Sequence, residues 1–229
     1  MKDRPDAILR PEQAWYLDRI LPPRDALLVE MEKNASAGEV PISDPEVGRL
    51  LGILARATKA SRILEVGTAI GYGTLCLARG APEATVTTID RDPATLETAR
   101  GYLERAGLRE RVDFLEGEAL EILPELQGPY DLLYLDGDKQ SYRRCLDLGL
   151  QLLSVGGVVA IDNLLWKGHV ADPPESEDAA DDEVTELIAA FNGYLMIHPQ
   201  LESLILPLGD GLGIATKTRP LVTDLGGPF

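Results

Sequence analysis

"RILEVGTAIGYGT", residues 62–74, decides how this chain is read. Arg62 to Val66 suits a short buried strand, and Gly67, Gly71 and Gly73 then allow a tight turn with the backbone close to a ligand. After Gly71 the apolar residues take helical spacing, so the turn ends at a helix N-terminus with free N–H groups. A strand running through a glycine turn into a helix opens a parallel α/β unit, and ligands of such sheets bind at the carboxyl ends of the strands.

Downstream the same rhythm repeats. The runs "TVTTID" (85–90), "RVDFLEG" (111–117), "YDLLYLDG" (130–137) and "GVVAIDN" (157–163) alternate with helical stretches beginning near 93, 118 and 138. The end differs: "LESLILPLG" (201–209) and "GLGIATK" (211–217) are separated only by "DG" around 210, too short for a crossover, so they form an antiparallel hairpin at the sheet edge. Upstream, "PEQAWYLDRIL", "RDALLVEMEKNA" and "DPEVGRLLGILARATK" read as three helices, the last with Asp44 as N-cap and Pro45 at its first position. The expected fold is α/β: a Rossmann-like, seven-stranded, mostly parallel sheet with a C-terminal antiparallel hairpin, helices on both faces and extra N-terminal helices. Residues 1–60 form those helices as part of the same domain, 61–218 the core, and 219–229 a tail.

Bulk properties narrow the function. With 229 residues, 45% apolar, the chain buries a sizeable core without disulfides or a structural metal. A formal charge of −16 disfavours nucleic acid and anionic membrane surfaces. Cys76 and Cys145 lie in apolar-periodic segments and read as reduced core thiols. The N-terminus has no continuous apolar h-region and no run reaches the ~18 apolar residues of a membrane span, so the expectation is a cytoplasmic protein. "HVADPPESEDAADDEV" (169–184) reads as a solvated loop, with a lid over the site as the functional alternative.

Polar residues collect where strands stop. Glu65 beside the glycine turn would repel a pyrophosphate and attract a cationic amino group, and no GxGxxG is present. Asp90 closes the second strand, placed to accept both hydroxyls of a ribose. Together with the turn residues Gly67, Thr68, Ala69, Gly71, Gly73 and Thr74, and with Arg91 next to Asp90, these describe S-adenosylmethionine better than NAD. Gly117, Glu118 and Ala119, in "EGEAL", end the third strand and are placed to border the adenine.

The second half of the sheet supplies Asp136, Asp162 and Asn163 at neighbouring strand ends, Asp136 also bordering the cofactor site. Three oxygen ligands with no His or Cys favour Mg²⁺, Ca²⁺ or Mn²⁺ over zinc and leave room for a bidentate substrate. Lys139, with Asp138 as N-cap, falls in a first helical turn where the dipole disfavours a cation, a setting that suits a general base; the alternative is a lysine turned into solvent.

These motifs, "ILEVGTAIGYGTLCLA", "YDLLYLDGDKQSY", "GGVVAIDNLLWKGHV" and "LILPLGDGLGIATK", resemble in order and spacing the cation-dependent O-methyltransferases, which include catechol and caffeoyl-CoA O-methyltransferases and small bacterial relatives. The resemblance covers about residues 27–217. It implies that Asp136, Asp162 and Asn163 bind the metal, that Lys139 is the catalytic base, and that Glu65, Gly67, Gly73 and Asp90 line the S-adenosylmethionine site. It also implies a small aromatic vicinal-diol acceptor and a homodimer; Trp166 is a candidate wall of the acceptor pocket, with a plain packing residue as the alternative. Three positions depart from the family pattern: Gly73 replaces Ser, with Thr74 or a backbone N–H as the substitute partner for the methionine carboxylate; Asp90 replaces Glu; Gly137 replaces Ala. The rival readings are an RNA hydroxyl as acceptor, a metal-free reaction with His169 as base, a silent cofactor-binding protein and an NAD-dependent oxidoreductase.

Overall fold

The β-branched runs become strands because their apolar side chains are wanted on both faces of one sheet. A computed structural model describes residues 10–172 and 179–220. Strands β1 (Arg62–Val66), β2 (Thr85–Asp90), β3 (Val112–Glu116), β4 (Tyr130–Leu135), β5 (Leu153–Ile161), β6 (Leu201–Leu206) and β7 (Leu212–Lys217) form a single sheet in the order β3-β2-β1-β4-β5-β7-β6. The first five are parallel, and β7 runs antiparallel to both β5 and β6. The hairpin connection spans 207–211, longer than the "DG" alone, because Pro207 has no N–H with which to continue the ladder.

Alternation along each strand divides the core in two. Ile63, Val86, Leu132 and Ala160 face helices α2 (Ala26–Ala37), α3 (Pro45–Ala57) and α4 (Tyr72–Gly80), whose Met31, Val47, Leu51 and Leu75 are fully buried. Leu64, Leu133, Val159 and Ile161 face α7 (Tyr142–Leu152) and α8 (Ala179–Ile197) through Cys145, Leu146, Phe191 and Leu195. Helix α4, which follows β1, and α7, which follows the adjacent β4, thus lie on opposite faces. Their divergence opens a crevice at the carboxyl ends of these two strands, the topological switch point of the sheet. Of the remaining helices, α1 (Pro11–Ile20) precedes α2, α5 (Pro93–Arg105) links β2 to β3, and α6 (Ala119–Ile122) follows β3. No described helix is long and apolar enough to cross a membrane.

Three elements differ from the sequence expectation. Helix α8 begins at Ala179, inside the acidic stretch read as a loop; its buried Ile188, Phe191 and Leu195 form the apolar stripe that docks it. Residues 173–178, the middle of the proposed lid, lie outside the described residues, as do 221–229 of the tail. The helix expected from 138 starts as a 3₁₀ turn at Lys139–Ser141, with α7 proper beginning at Tyr142. There the Asp138 side chain makes no cap, and Ser141 Oγ donates to the Asp138 carbonyl at 2.7 Å instead. The helix expected near 118 is a single turn, α6, followed by a 3₁₀ turn containing Pro124.

Candidate active site

A cavity of about 630 Å³ occupies the crevice, walled by the ends of β1, β2, β4 and β5 and by Pro41, Ile42 and Ser43 from the loop between α2 and α3. Glu65 and Tyr134, in register on adjacent strands, line its floor, and Thr88 continues the row on β2 behind them. Glu65 is fully buried; its Oε2 accepts from Thr74 Oγ1 and, at 2.6 Å, from Thr88 Oγ1. Since Thr88 spends its one proton on Glu65, the Thr68–Thr88 contact at 2.6 Å runs with Thr68 as donor. Glu65 Oε1 has no hydrogen-bond partner among the described residues. Burial pushes the Glu65 carboxyl up to about 8, against the two threonine hydrogen bonds that favour its charged form. A buried oxygen with no donor, on the wall of a cavity, fits a ligand that brings its own cationic N–H group.

The turn after β1 is shaped by close approach. Gly67 has φ 97°, and a Cβ there would lie 2.3 Å from the Asp136 carbonyl oxygen. Ala69, also left-handed at φ 44°, aims its N–H at Asp90 Oδ2 (2.8 Å), while Asp92 N–H reaches Oδ1 (3.1 Å). The Asp90 carboxylate is thereby fixed at the cavity wall with a lone pair left on each oxygen, as hydroxyl recognition requires. Arg91, Gly117, Glu118 and Ala119 line the same end, with Arg91 3.7 Å from Glu118.

Two residues expected at the cofactor do not reach the cavity wall. Gly71 faces α5, where a Cβ would meet Ala99 and Leu103, and Thr74 lies behind Glu65. Because the Thr74 proton is held by Glu65, that hydroxyl is not the substitute donor for a ligand carboxylate. Gly73 does line the cavity; a Cβ there would lie 2.7 Å from Glu65 Oε1 and 3.1 Å from Tyr134 Cε1, so a side chain at this position would press on both.

At the other end, Asp136 directly follows β4, and Asp162 and Asn163 follow β5. Tyr134 OH stands 3.2 Å from Asp136 Oδ2 and 3.1 Å from Asp162 Oδ2, so both carboxylates face one phenol. Asn163, at φ 63°, donates its N–H to Asp162 Oδ1 (2.8 Å). Lys139 Nζ donates to Asn163 Oδ1 (2.8 Å), Tyr142 OH (2.6 Å) and Asp136 Oδ1 (3.3 Å). Burial and then the charge of Asp136 push Asp162 up to about 7, and burial likewise raises Asp136. A bound cation would oppose both causes, and two carboxylates with an amide oxygen form a hard donor set suited to Mg²⁺, Mn²⁺ or Ca²⁺. Among the described residues no three His, Cys, Asp or Glu side chains cluster to hold a metal; the Asn163 amide is the third oxygen donor lining this end of the cavity.

Trp166 and Lys167 border the cavity on left-handed backbone, with the Lys167 N–H held by Asp210 Oδ1 at 2.7 Å. His169 is not on the cavity wall. Three contributors escaped the sequence reading: Tyr134, Ser43 and Tyr142. The available signal was the i, i+2 spacing of Tyr134 and Asp136, which puts both on one side of β4. Nothing local marks Ser43, which meets Tyr134 OH at 2.9 Å across 91 positions of sequence.

Comparison with known proteins agrees with this geometry. Residues 25–218 match the family described as O-methyltransferase. A catechol O-methyltransferase of Mycobacterium tuberculosis is 36% identical over 199 residues, covering 84% of this chain and 87% of its own. A caffeoyl-CoA O-methyltransferase of Populus kitakamiensis is 33% identical over 197 residues, 80% of each chain. The crystal structure of an O-methyltransferase from Bacillus cereus in complex with SAH aligns with a TM-score of 0.77 at 29% identity, over 90% of this chain and 97% of that one.

Proposed function

The chain belongs to the O-methyltransferase family, and from that premise we propose that it methylates one hydroxyl of a small aromatic vicinal diol with the help of a divalent cation. It is an S-adenosylmethionine-dependent O-methyltransferase of the catechol and caffeoyl-CoA class. The observation that carries the finer reading is the convergence of Asp136, Asp162, Asn163 and Lys139 at two adjacent strand ends, in one cavity with the unpartnered Glu65 Oε1.

Each residue has a task. Glu65 receives the cofactor's amino group, and Asp90, held by two backbone N–H groups, accepts the ribose hydroxyls. Gly67 lets the turn pass against the Asp136 backbone at the cavity wall, which joins the cofactor end to the Asp136 end. Asp136, Asp162 and Asn163 would hold the cation. When bound, the cation would supply Lewis-acid stabilisation of negative charge on the acceptor, and three protein ligands would leave it open to an acceptor with two adjacent oxygens. Lys139 Nζ is directed into this cluster, and as the neutral amine, with two protons and a free lone pair, it takes the hydroxyl proton. Orientation of the acceptor oxygen toward the methyl group removes part of the entropic barrier, worth up to roughly 7–11 kcal/mol in ideal cases.

Methyl transfer from S-adenosylmethionine to a panel of catechols, with Mg²⁺ and with EDTA, tests the reading. Turnover that needs the metal is expected. Undiminished turnover in EDTA would overturn the cation, and turnover of phenols with a single hydroxyl at the same rate would overturn the diol.

A further inference from the structure

We propose that Tyr134, backed by Ser43, is a positioning residue that holds Asp136 and Asp162 in the orientation a divalent cation needs; the inference rests on the cation reading above. The Tyr134 side chain is 1% exposed, and its ring is fixed in the sheet between Glu65 of β1 and Ala160 of β5. A buried tyrosine needs one partner for its hydroxyl. This one has three: Asp136 Oδ2 at 3.2 Å, Asp162 Oδ2 at 3.1 Å and Ser43 Oγ at 2.9 Å.

The other carboxylate oxygens are fixed from elsewhere, Asp136 Oδ1 by Lys139 Nζ and Asp162 Oδ1 by the Asn163 N–H. Each carboxylate is therefore contacted at both oxygens, and the phenol oxygen is the contact they share. Each hydroxyl has one proton: either Tyr134 donates to Asp162 and Ser43 to Asp136, or the phenol proton is shared between the two carboxylates while Ser43 donates to the phenol oxygen. Every oxygen keeps a lone pair, so the hydroxyls orient the carboxylates without filling the sites a cation would take. Remove the phenol oxygen and two mutually repelling carboxylates lose the donor between them. They must then rotate apart or be drawn together afresh by the cation, at the expense of its affinity.

Tyr134→Phe removes that oxygen and keeps the ring that packs beside Gly73. Mn²⁺ binding to the full chain, measured by calorimetry without acceptor for wild type, Tyr134→Phe and Ser43→Ala, reads the effect directly. S-adenosylmethionine affinity serves as the control for an intact fold. The expected result is a Kd for Mn²⁺ weakened roughly tenfold or more in Tyr134→Phe, a smaller loss in Ser43→Ala, and cofactor affinity kept within about twofold in both. Wild-type Mn²⁺ affinity in Tyr134→Phe overturns the positioning role while leaving the cation reading intact. A parallel loss of cofactor affinity also overturns it, as general damage to the site. No Mn²⁺ binding by wild type overturns the cation reading itself.

Discussion

Glu65 sets the electrostatic character of the cofactor end, and its consequence is a pH dependence with a definite sign. Its carboxyl is raised to about 8 in the folded chain, burial being the main cause. The protonated form is thus favoured, and Glu65 contributes stability that is fully present below its unfolded value and lost as pH rises through about 8. A cationic ligand group needs the carboxylate. Between pH 6 and 7.5, S-adenosylmethionine binding should therefore tighten with rising pH, by up to about tenfold per unit, with release of a proton. Calorimetry in buffers of different ionisation enthalpy checks this, and Glu65→Gln should flatten the slope while weakening binding at pH 7.5. A flat profile in wild type removes Glu65 as the amino-group partner. Lys139 makes a different prediction. Its Nζ touches Asp136, Asn163 and Tyr142 and no residue of the Glu65–Asp90 end. Lys139→Ala should lower turnover by about 10²-fold or more, as loss of a general base does, with cofactor affinity nearly unchanged. Equal turnover would take Lys139 out of the mechanism.

At the scale of elements, the segment between β1 and α4 carries the most constraint. The turn brings Gly67 against the start of the Asp136 segment, and Asp136 N–H donates to the Val66 carbonyl at 2.8 Å, so the two halves of the site share a backbone seam. Gly67→Ala combines strain at φ 97° with a Cβ 2.3 Å from the Asp136 carbonyl oxygen. It should cost about 2 kcal/mol or more of stability, visible as a lower melting temperature, and should weaken cofactor and Mn²⁺ binding together. Loss of cofactor binding alone would show that the seam does not couple the halves. The loop between α2 and α3 is the second such element. By placing Ser43 on Tyr134, it makes the segment between the N-terminal helices part of the Asp136–Asp162 end of the site.

At the scale of the whole molecule, strand order places the chemistry. The β1–β4 switch point sends α4 and α7 to opposite faces, and the site lies in the gap they leave. Much of this was legible in the sequence. The strand period, the glycine turn and the acids at strand ends are local features, so the parallel sheet, its terminal hairpin and the clustering of Glu65, Asp90, Asp136 and Asp162 at one edge followed from reading short stretches. What local reading could not reach depended on neighbours distant in sequence. Helix α8 is held by an apolar stripe against the α7 side of the sheet, a fact masked by the acidic composition around its start. Gly71 and Thr74 sit in the right motif but face α5 and Glu65. Tyr134 reads as one more core residue of "YDLLYL" until β4 is set beside β5 and the loop carrying Ser43 is laid over it. The sequence by itself determined which residues could bear charge at the strand ends, because period and position are properties of adjacent residues. Only the tertiary structure decided which hydroxyls face those charges, because a hydrogen bond requires two groups within about 3 Å, and here the chain closes that distance across up to 91 residues.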